Sequence, residues 1–197
     1  MKKLVFSIIM QLVIVFMFST VLSAQDYNVN TDKTVVNWEG SKVVAGSHEG
    51  SIQVKSGNLL LKEGLIVSGK VLIDMTTIID TDLEGAMKEK LEGHLKSDDF
   101  FGVGKFPEAS LEVKDSERID ANKIRVNGML TIKGHTNPVS FESSVDKVDD
   151  AILFEGSMEI DRSLYDVRFG SGKFFDNLGD KAINDIFTLQ FELLLEK

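Results

Sequence analysis

Residues 94 to 107 read His94-Leu95-Lys96-Ser97-Asp98-Asp99-Phe100-Phe101-Gly102-Val103-Gly104-Lys105-Phe106-Pro107, and their reading decides the fold. Two adjacent aromatics sit between an acidic pair and a glycine-lysine-proline turn. This order follows neither the 3.6-residue repeat of a helix nor the two-residue repeat of a strand, so the segment reads as a structural joint. On its N-terminal side the chain changes period once: Leu83, Met87, Leu91 and Leu95 recur every fourth residue, with Ala86 and His94 beside them. That spacing predicts a helix of about three turns, opened by a capping box of Thr81 and Glu84. Phe100 and Phe101 are expected to plug apolar space near one end of the fold, and Pro107 to start a strand. Asp98 and Asp99 are expected to hold backbone amides after the helix. As a catalytic acid pair they fit less well, because neighbours in a strand point opposite ways.

Away from the joint the period is two. From 124 to 132 one parity carries Ile124, Val126, Gly128, Leu130 and Ile132, and the other Arg125, Asn127, Met129 and Thr131. The apolar parity of 67 to 75 is Val67, Gly69, Val71, Ile73 and Met75; that of 152 to 160 is Ile152, Phe154, Gly156, Met158 and Ile160; that of 187 to 195 is Phe187, Leu189, Phe191, Leu193 and Leu195. Shorter runs cover Val35 to Trp38, Ser51 to Val54, Leu59 to Leu61, Ala109 to Val113 and Val139 to Val145. About eight or nine strands with one apolar face each predict an antiparallel sheet, closed as a barrel or folded as a sandwich. Gly69, Gly128 and Gly156 on the apolar parity suggest barrel corners with space beside them for a ligand, a simple bulge being the alternative. No repeat, linker or low-complexity tract divides the chain.

The first 24 residues open Met1-Lys2-Lys3, run apolar from Leu4 to Phe18 and end in Ser23 and Ala24. This is the pattern of a secretory leader cleaved after about Ala24, which leaves 25 to 197 as a single domain, periplasmic or secreted and not membrane-spanning once mature. The apolar stretch is short for a retained anchor, which needs about 20 residues. With no cysteine, the exported chain must be held by its core alone. Basic residues number 22 against 31 acidic, and loss of Lys2 and Lys3 moves the net charge from −9 to −11. Such a surface repels nucleic acid and anionic headgroups. An outer-membrane barrel would need aromatic girdles, for which one Trp and two Tyr are poor material.

Catalytic signals are few. The chain carries no cysteine nucleophile, serine elbow or phosphate loop. His48, His94 and His135 lie far apart, none with a second His or Cys at ligand spacing, so each reads as a hydrogen-bonding or turn residue and neither metal nor cofactor is expected. Arg162 and Arg168 follow a strand ending at Ile160. They are placed either to grip an anionic group in a planar fork or to pair with Asp161 and Asp166 as structure, the structural role being favoured.

Three blocks carry a resemblance: Ser97-Asp98-Asp99-Phe100-Phe101 through Lys105-Phe106-Pro107, Gly128-Met129-Leu130-Thr131-Ile132-Lys133-Gly134-His135-Thr136-Asn137-Pro138-Val139, and Ile160-Asp161-Arg162-Ser163. Together with Asp74-Met75-Thr76 they resemble the YceI-like family of secreted, lipocalin-like, polyisoprenoid-binding barrels over essentially all of 27 to 197. The chain departs from the family pattern at Gly102, where an Asp usually follows the two aromatics, in the Gly46-Ser47-His48-Glu49-Gly50 spacing, and from Tyr165 to Ile183. The resemblance implies an all-β, eight-stranded antiparallel barrel with one short α-helix near an opening and an elongated apolar pocket.

Eight strands leave an interior that is either filled by side chains or holds one slim ligand. The expected function is a non-enzymatic carrier for a long-chain isoprenoid or acyl lipid, with Val71, Ile73, Leu111, Val113, Leu130, Ile132, Phe141, Phe154, Met158, Phe187, Leu189 and Phe191 lining the pocket. Lys105, Arg162 or Arg168 would meet a headgroup. The only protein partner allowed for is a second copy, as a homodimer. The alternative from another class is a structural or interaction module of the cell envelope with a solidly packed core, and an enzyme using a histidine with Asp98 or Asp99 ranks below both.

Overall fold

Strand alternation closes on itself in three dimensions. The computed structural model describes residues 23–44 and 46–197; the leader expected over 1–24 lies outside them except for Ser23 and Ala24. The elements are β1 (Gln25–Val29), β2 (Val35–Ser41), β3 (Ser47–Lys62), β4 (Leu65–Asp80), α1 (Gly85–Lys96), β5 (Glu108–Asp120), β6 (Lys123–Ile132), β7 (His135–Val148), β8 (Ala151–Asp161) and β9 (Ile186–Glu196). From β2 to β9 each strand pairs antiparallel with the next, and β9 returns to β2. The nine strands therefore make an eight-place barrel. β1 and β2 share one place: β1 pairs with Leu59 to Leu61 of β3 and reaches Leu195 of β9, while β2 pairs with Ser47 to Ser51 and Thr188 to Glu192 of the same neighbours.

The apolar parity faces inward. On β6 Ile124, Val126, Leu130 and Ile132 are buried, and on β8 Phe154, Met158 and Ile160, while Glu155 and Glu159 face out. A lipid-embedded barrel would need the reverse. Fully burying each such aliphatic or aromatic side chain contributes about 1.5–3 kcal/mol. The parity of β4 breaks twice. Leu60 pairs with Ser68 and Leu61 with Ile66, so Val67 falls in a bulge and turns out, and Ile66 takes the interior place expected of it. The second break is a kink after Asp74, so the strand read over 67 to 75 runs on to Asp80.

The room expected beside the inward glycines is absent. A Cβ on Gly156 would stand 2.5 Å from the Glu142 carbonyl oxygen and 2.7 Å from the Phe191 ring; on Gly128 it would stand 2.7 Å from the Glu112 oxygen, and on Gly69 2.5 Å from the Asn58 oxygen. These positions let adjacent strands approach and coil at the barrel wall.

One end of the barrel is covered by α1, the joint after it, and the excursion between β8 and β9. The capping box does not form: Glu84 is the N-cap residue without a side-chain cap bond, and Thr81 Oγ1 donates to the Glu49 carbonyl. Of the expected helical stripe only Leu95 is buried; Leu91 and Leu83, the latter ahead of α1, are half-buried, while Met87 is 64% exposed. The excursion begins with a 3₁₀ turn, Arg162–Tyr165, capped by Asp161, whose carboxylate accepts from Ser163 N at 3.0 Å. Its remaining length folds back around the buried Arg162. The guanidinium donates to the main-chain oxygens of Val167 (2.9 Å), Phe169 (2.8 Å), Ile183 (3.1 Å) and Asn184 (3.0 Å). Asp185 lies 3.4 Å from Nη2, close enough for charge attraction without hydrogen-bond alignment.

Three outcomes follow from this geometry. Gly156→Ala forces a backbone shift and should lower stability by about 1–3 kcal/mol, whereas Gly93→Ala, with open space around its Cβ on α1, should raise it by up to about 1 kcal/mol; denaturant midpoints measure both. Arg162→Met leaves the four carbonyls without their donor and Asp185 without a counter-charge, and should cost about 3–5 kcal/mol, with amide exchange accelerating first over 163–185. The Asp161 carboxyl is pushed up by burial, but hydrogen bonds from Lys173 and Ser163 outweigh this and hold it low. A depressed folded pKa contributes stability that is present above the unfolded value of about 3.9 and lost as pH falls through the folded one. Asp161→Asn should therefore be less stable at neutral pH and lose less stability on acidification below about pH 4, in a pH series of urea titrations.

Candidate functional site

The inward residues enclose space. A chamber of about 120 Å³ lies against the covered end and a second of about 100 Å³ lies deeper, and they share Val36, Ile73, Leu130 and Leu189 as a common waist. A single water needs about 10–15 Å³, so both are cavities rather than packing defects. Side chains do not fill the interior of the barrel completely.

The structure distributes the twelve residues read as pocket-lining between the two chambers. Ile132 and Phe187 line the upper chamber, Ile73, Leu130 and Leu189 the waist, and Val71, Leu111, Val113, Phe141, Phe154, Met158 and Phe191 the lower chamber. The sequence reading missed Trp38 and Val36 of β2, Met75 and Ile78 beyond the β4 kink, and Leu59 and Ile66 lower down. The Val36-Trp38-Gly40 alternation was the available signal for the first two. Ser143 is the polar residue of the lower chamber, and its hydroxyl turns onto the Ser144 and Glu155 carbonyls at 2.8 and 3.1 Å.

The joint forms the upper wall. Phe100 and Phe101 are buried, their rings 5.0 Å apart edge to face, and Phe101 meets Phe187 at 6.4 Å. His94 stands edge-on to Phe100 at 5.7 Å and to Phe169 of the excursion at 4.3 Å, and Arg162 lies 5.5 Å from the Phe100 ring centre. Asp98 and Asp99 do not perform the role expected of them. The amides here bond main-chain oxygens, Phe100 N and Gly102 N to Ser97 O, Phe101 N to Leu95 O and Val103 N to Lys96 O, while Asp98 pairs with Lys105 at 2.6 Å and Asp99 is exposed. Gly102 has φ +59, which explains glycine there: the Ser97 carbonyl can take two amides only if the chain turns left-handed.

The three expected headgroup cations separate. Arg162 borders the upper chamber, but carbonyls engage its donors; burial pushes its guanidinium below the usual range, opposed by the charges of Asp185 and Asp161. Lys105 is on the outer surface with Asp98. Arg168 pairs with Asp166, lies over Phe174 at 5.1 Å and borders a surface cleft with Asp98, Asp99 and Lys133. Neither lines a chamber: Lys105 sits in the exposed turn of the joint, and the excursion turns Val167 inward and carries Arg168 out. The upper chamber's other polar residue, Asn184, spends its amide on Ser41 Oγ at 2.8 Å and the Lys42 carbonyl. No helix among the described residues is long and apolar enough to cross a membrane.

A hollow antiparallel barrel with this joint has relatives. A UPF0312 protein of Vibrio campbellii is 26% identical over 145 residues, 73% of this chain and 74% of that one. In three dimensions the fold is similar to BcnA of Burkholderia cenocepacia, with a TM-score of 0.66 and 22% identity over 84% of this chain and 98% of that one. It is also similar to a polyisoprenoid binding domain from Saccharophagus degradans, with a TM-score of 0.64 and 15% identity over 86% and 97%. The profile of the YceI-like domain matches residues 27–195, which takes in every strand of the ring and both walls of the covered end, and the chain belongs to the YceI-like family.

Proposed function

We propose that the protein is a non-enzymatic carrier or sequestering barrel for an isoprenoid or another long-chain amphiphile, working in the periplasm or outside the cell. The observation that carries this reading is the pair of chambers meeting at one waist, lined almost wholly by carbon. A linear chain is slim enough for such a barrel, and each buried CH₂ contributes about 0.8 kcal/mol, so a dozen carbons leave several kcal/mol after the costs of ordering. The family and the polyisoprenoid binding domain among its structural relatives support the same class of cargo. Transport rather than catalysis is supported by the chemistry of the walls. General acid–base work needs a titratable group within hydrogen-bond reach of the cargo, whereas the polar side chains here, Arg162, Asn184 and Ser143, are committed to main-chain oxygens or to Ser41.

Specificity in such a chamber is for length and cross-section. The headgroup stays at the covered end, outside the carbon-lined space.

Trp38, the sole tryptophan, lines the upper chamber and reports occupancy. A polyene fatty acid should show saturable energy transfer from Trp38 at one molecule per chain. Leu130→Phe, which thickens the waist, should weaken that binding at least tenfold while costing about 1–3 kcal/mol of stability. Absence of energy transfer, or affinity unchanged by Leu130→Phe, would contradict the reading.

A further inference from the structure

At the covered end, on the outside of the rim, three groups with no part in the chamber converge. His48 is the second residue of β3, Asp80 the last of β4, and Asp82 lies in the link to α1. A ligand atom from each lies within 4.8 Å of the other two. We propose that His48, Asp80 and Asp82 bind a divalent first-row transition cation, zinc being the ion their donor set fits best.

The geometry is that of groups held for a purpose. Asp80 Oδ1 accepts the Leu83 amide at 2.7 Å and Asp82 Oδ1 accepts the Glu49 amide at 3.0 Å. Each carboxylate is thus oriented through one oxygen by the backbone; the second oxygen of Asp80 has no partner and that of Asp82 meets only His48, a contact that a shared cation would replace. Outer partners of this kind fix metal-binding side chains. Asp82 Oδ2 lies 3.0 Å from His48 Nδ1, close to the ligand–ligand edge of about 3.3 Å in a tetrahedral site with bonds of about 2.0–2.1 Å.

A second observation is independent of the clustering. Asp80 is fully buried, and its Oδ2 has no hydrogen-bond partner. A buried carboxylate oxygen without a partner carries its whole desolvation penalty. Its backbone amide is already given to Glu92 at 3.1 Å, which adds another acid to the neighbourhood. Of the ion pairs among the described residues, two reach this cluster: His48–Asp82, and Lys88–Glu92 at 3.8 Å. A cation beside Asp80 Oδ2 removes the penalty and balances the acids together.

One imidazole nitrogen with two carboxylate oxygens selects among cations. Calcium and magnesium favour all-oxygen shells of six or more ligands, whereas zinc, manganese, iron and cobalt accept mixed N/O sets. His48 and Asp82 remain 40% and 30% exposed at their side chains, so an ion can enter from solvent and keep open positions toward it. Bound there, it ties the start of β3, the end of β4 and the entry to α1 into one rim. The site touches the chamber through one neighbour, since Trp38 Nε1 donates to the carbonyl of Ile79 at 3.1 Å, the residue before Asp80. The inference does not depend on what the barrel carries.

The test titrates chelator-stripped protein with Zn²⁺ by calorimetry and with Co²⁺ by visible absorption. One ion per chain is expected, with a higher thermal midpoint for the loaded protein. His48→Ala and Asp80→Asn should each weaken binding at least tenfold; should Asp80→Asn fail to fold, the partly exposed His48→Ala decides. No binding up to millimolar metal overturns the proposal, and so does binding unchanged in the variants, which would assign it to scattered surface acids.

Discussion

A guanidinium buried against main-chain carbonyls holds one end of this barrel together. Arg162 donates to oxygens at Val167, Phe169, Ile183 and Asn184, so a single side chain replaces the regular ladder that the segment from 162 to 185 lacks. Burying a charge is costly unless its hydrogen bonds are met, and here they are met by groups that would otherwise be orphans themselves. The same cation faces Phe100, so it ties the excursion to the joint as well as to itself. Aromatic rings and a cation whose hydrogen bonds are met cover this end, and the space beneath it is lined almost wholly by carbon.

The space itself is a consequence of the ring. Eight places set a diameter at which inward side chains either fill the interior or leave one narrow channel. The inward residues of β9, Phe187, Leu189, Phe191 and Leu193, are only half-buried although they face the inside. All four line the two chambers. Where large side chains meet across the interior they do so edge to face, Phe141 with Phe191 at 5.6 Å and Phe101 with Phe187 at 6.4 Å. Gly128 and Gly156 add nothing to the volume, because neighbouring strands already occupy the positions their side chains would take.

Most of the barrel was legible in the sequence, because a half-buried strand writes its orientation into every second residue; β6 and β8 matched their expected faces position by position. Where the parity changes within a strand, the reading failed: the bulge at Val67 and the kink after Asp74 depend on cross-strand register, which has no local signature. β1 was missed because only Tyr27 and Val29 of its five residues are buried, and because it continues a place that β2 already fills. The acids of the joint were misread for a physical reason too: a chain that turns left-handed at Gly102 supplies carbonyls to its own amides and does not need them. The headgroup cations were named from charge and spacing alone; the turn of the joint puts Lys105 on the outer surface, and the excursion's path carries Arg168 out. His48, Asp80 and Asp82 were invisible as a group, since the register of β3 on β4 brings them together and no spacing along the chain announces it.

The central claim is that the barrel is hollow so that a chain can occupy it. Native mass spectrometry of the protein isolated from cells that make it tests this most directly. The account predicts a population heavier than the polypeptide by the mass of one long-chain lipid, released on denaturation. The mass of the polypeptide alone, from protein that also takes up no apolar chain when one is offered, would contradict it.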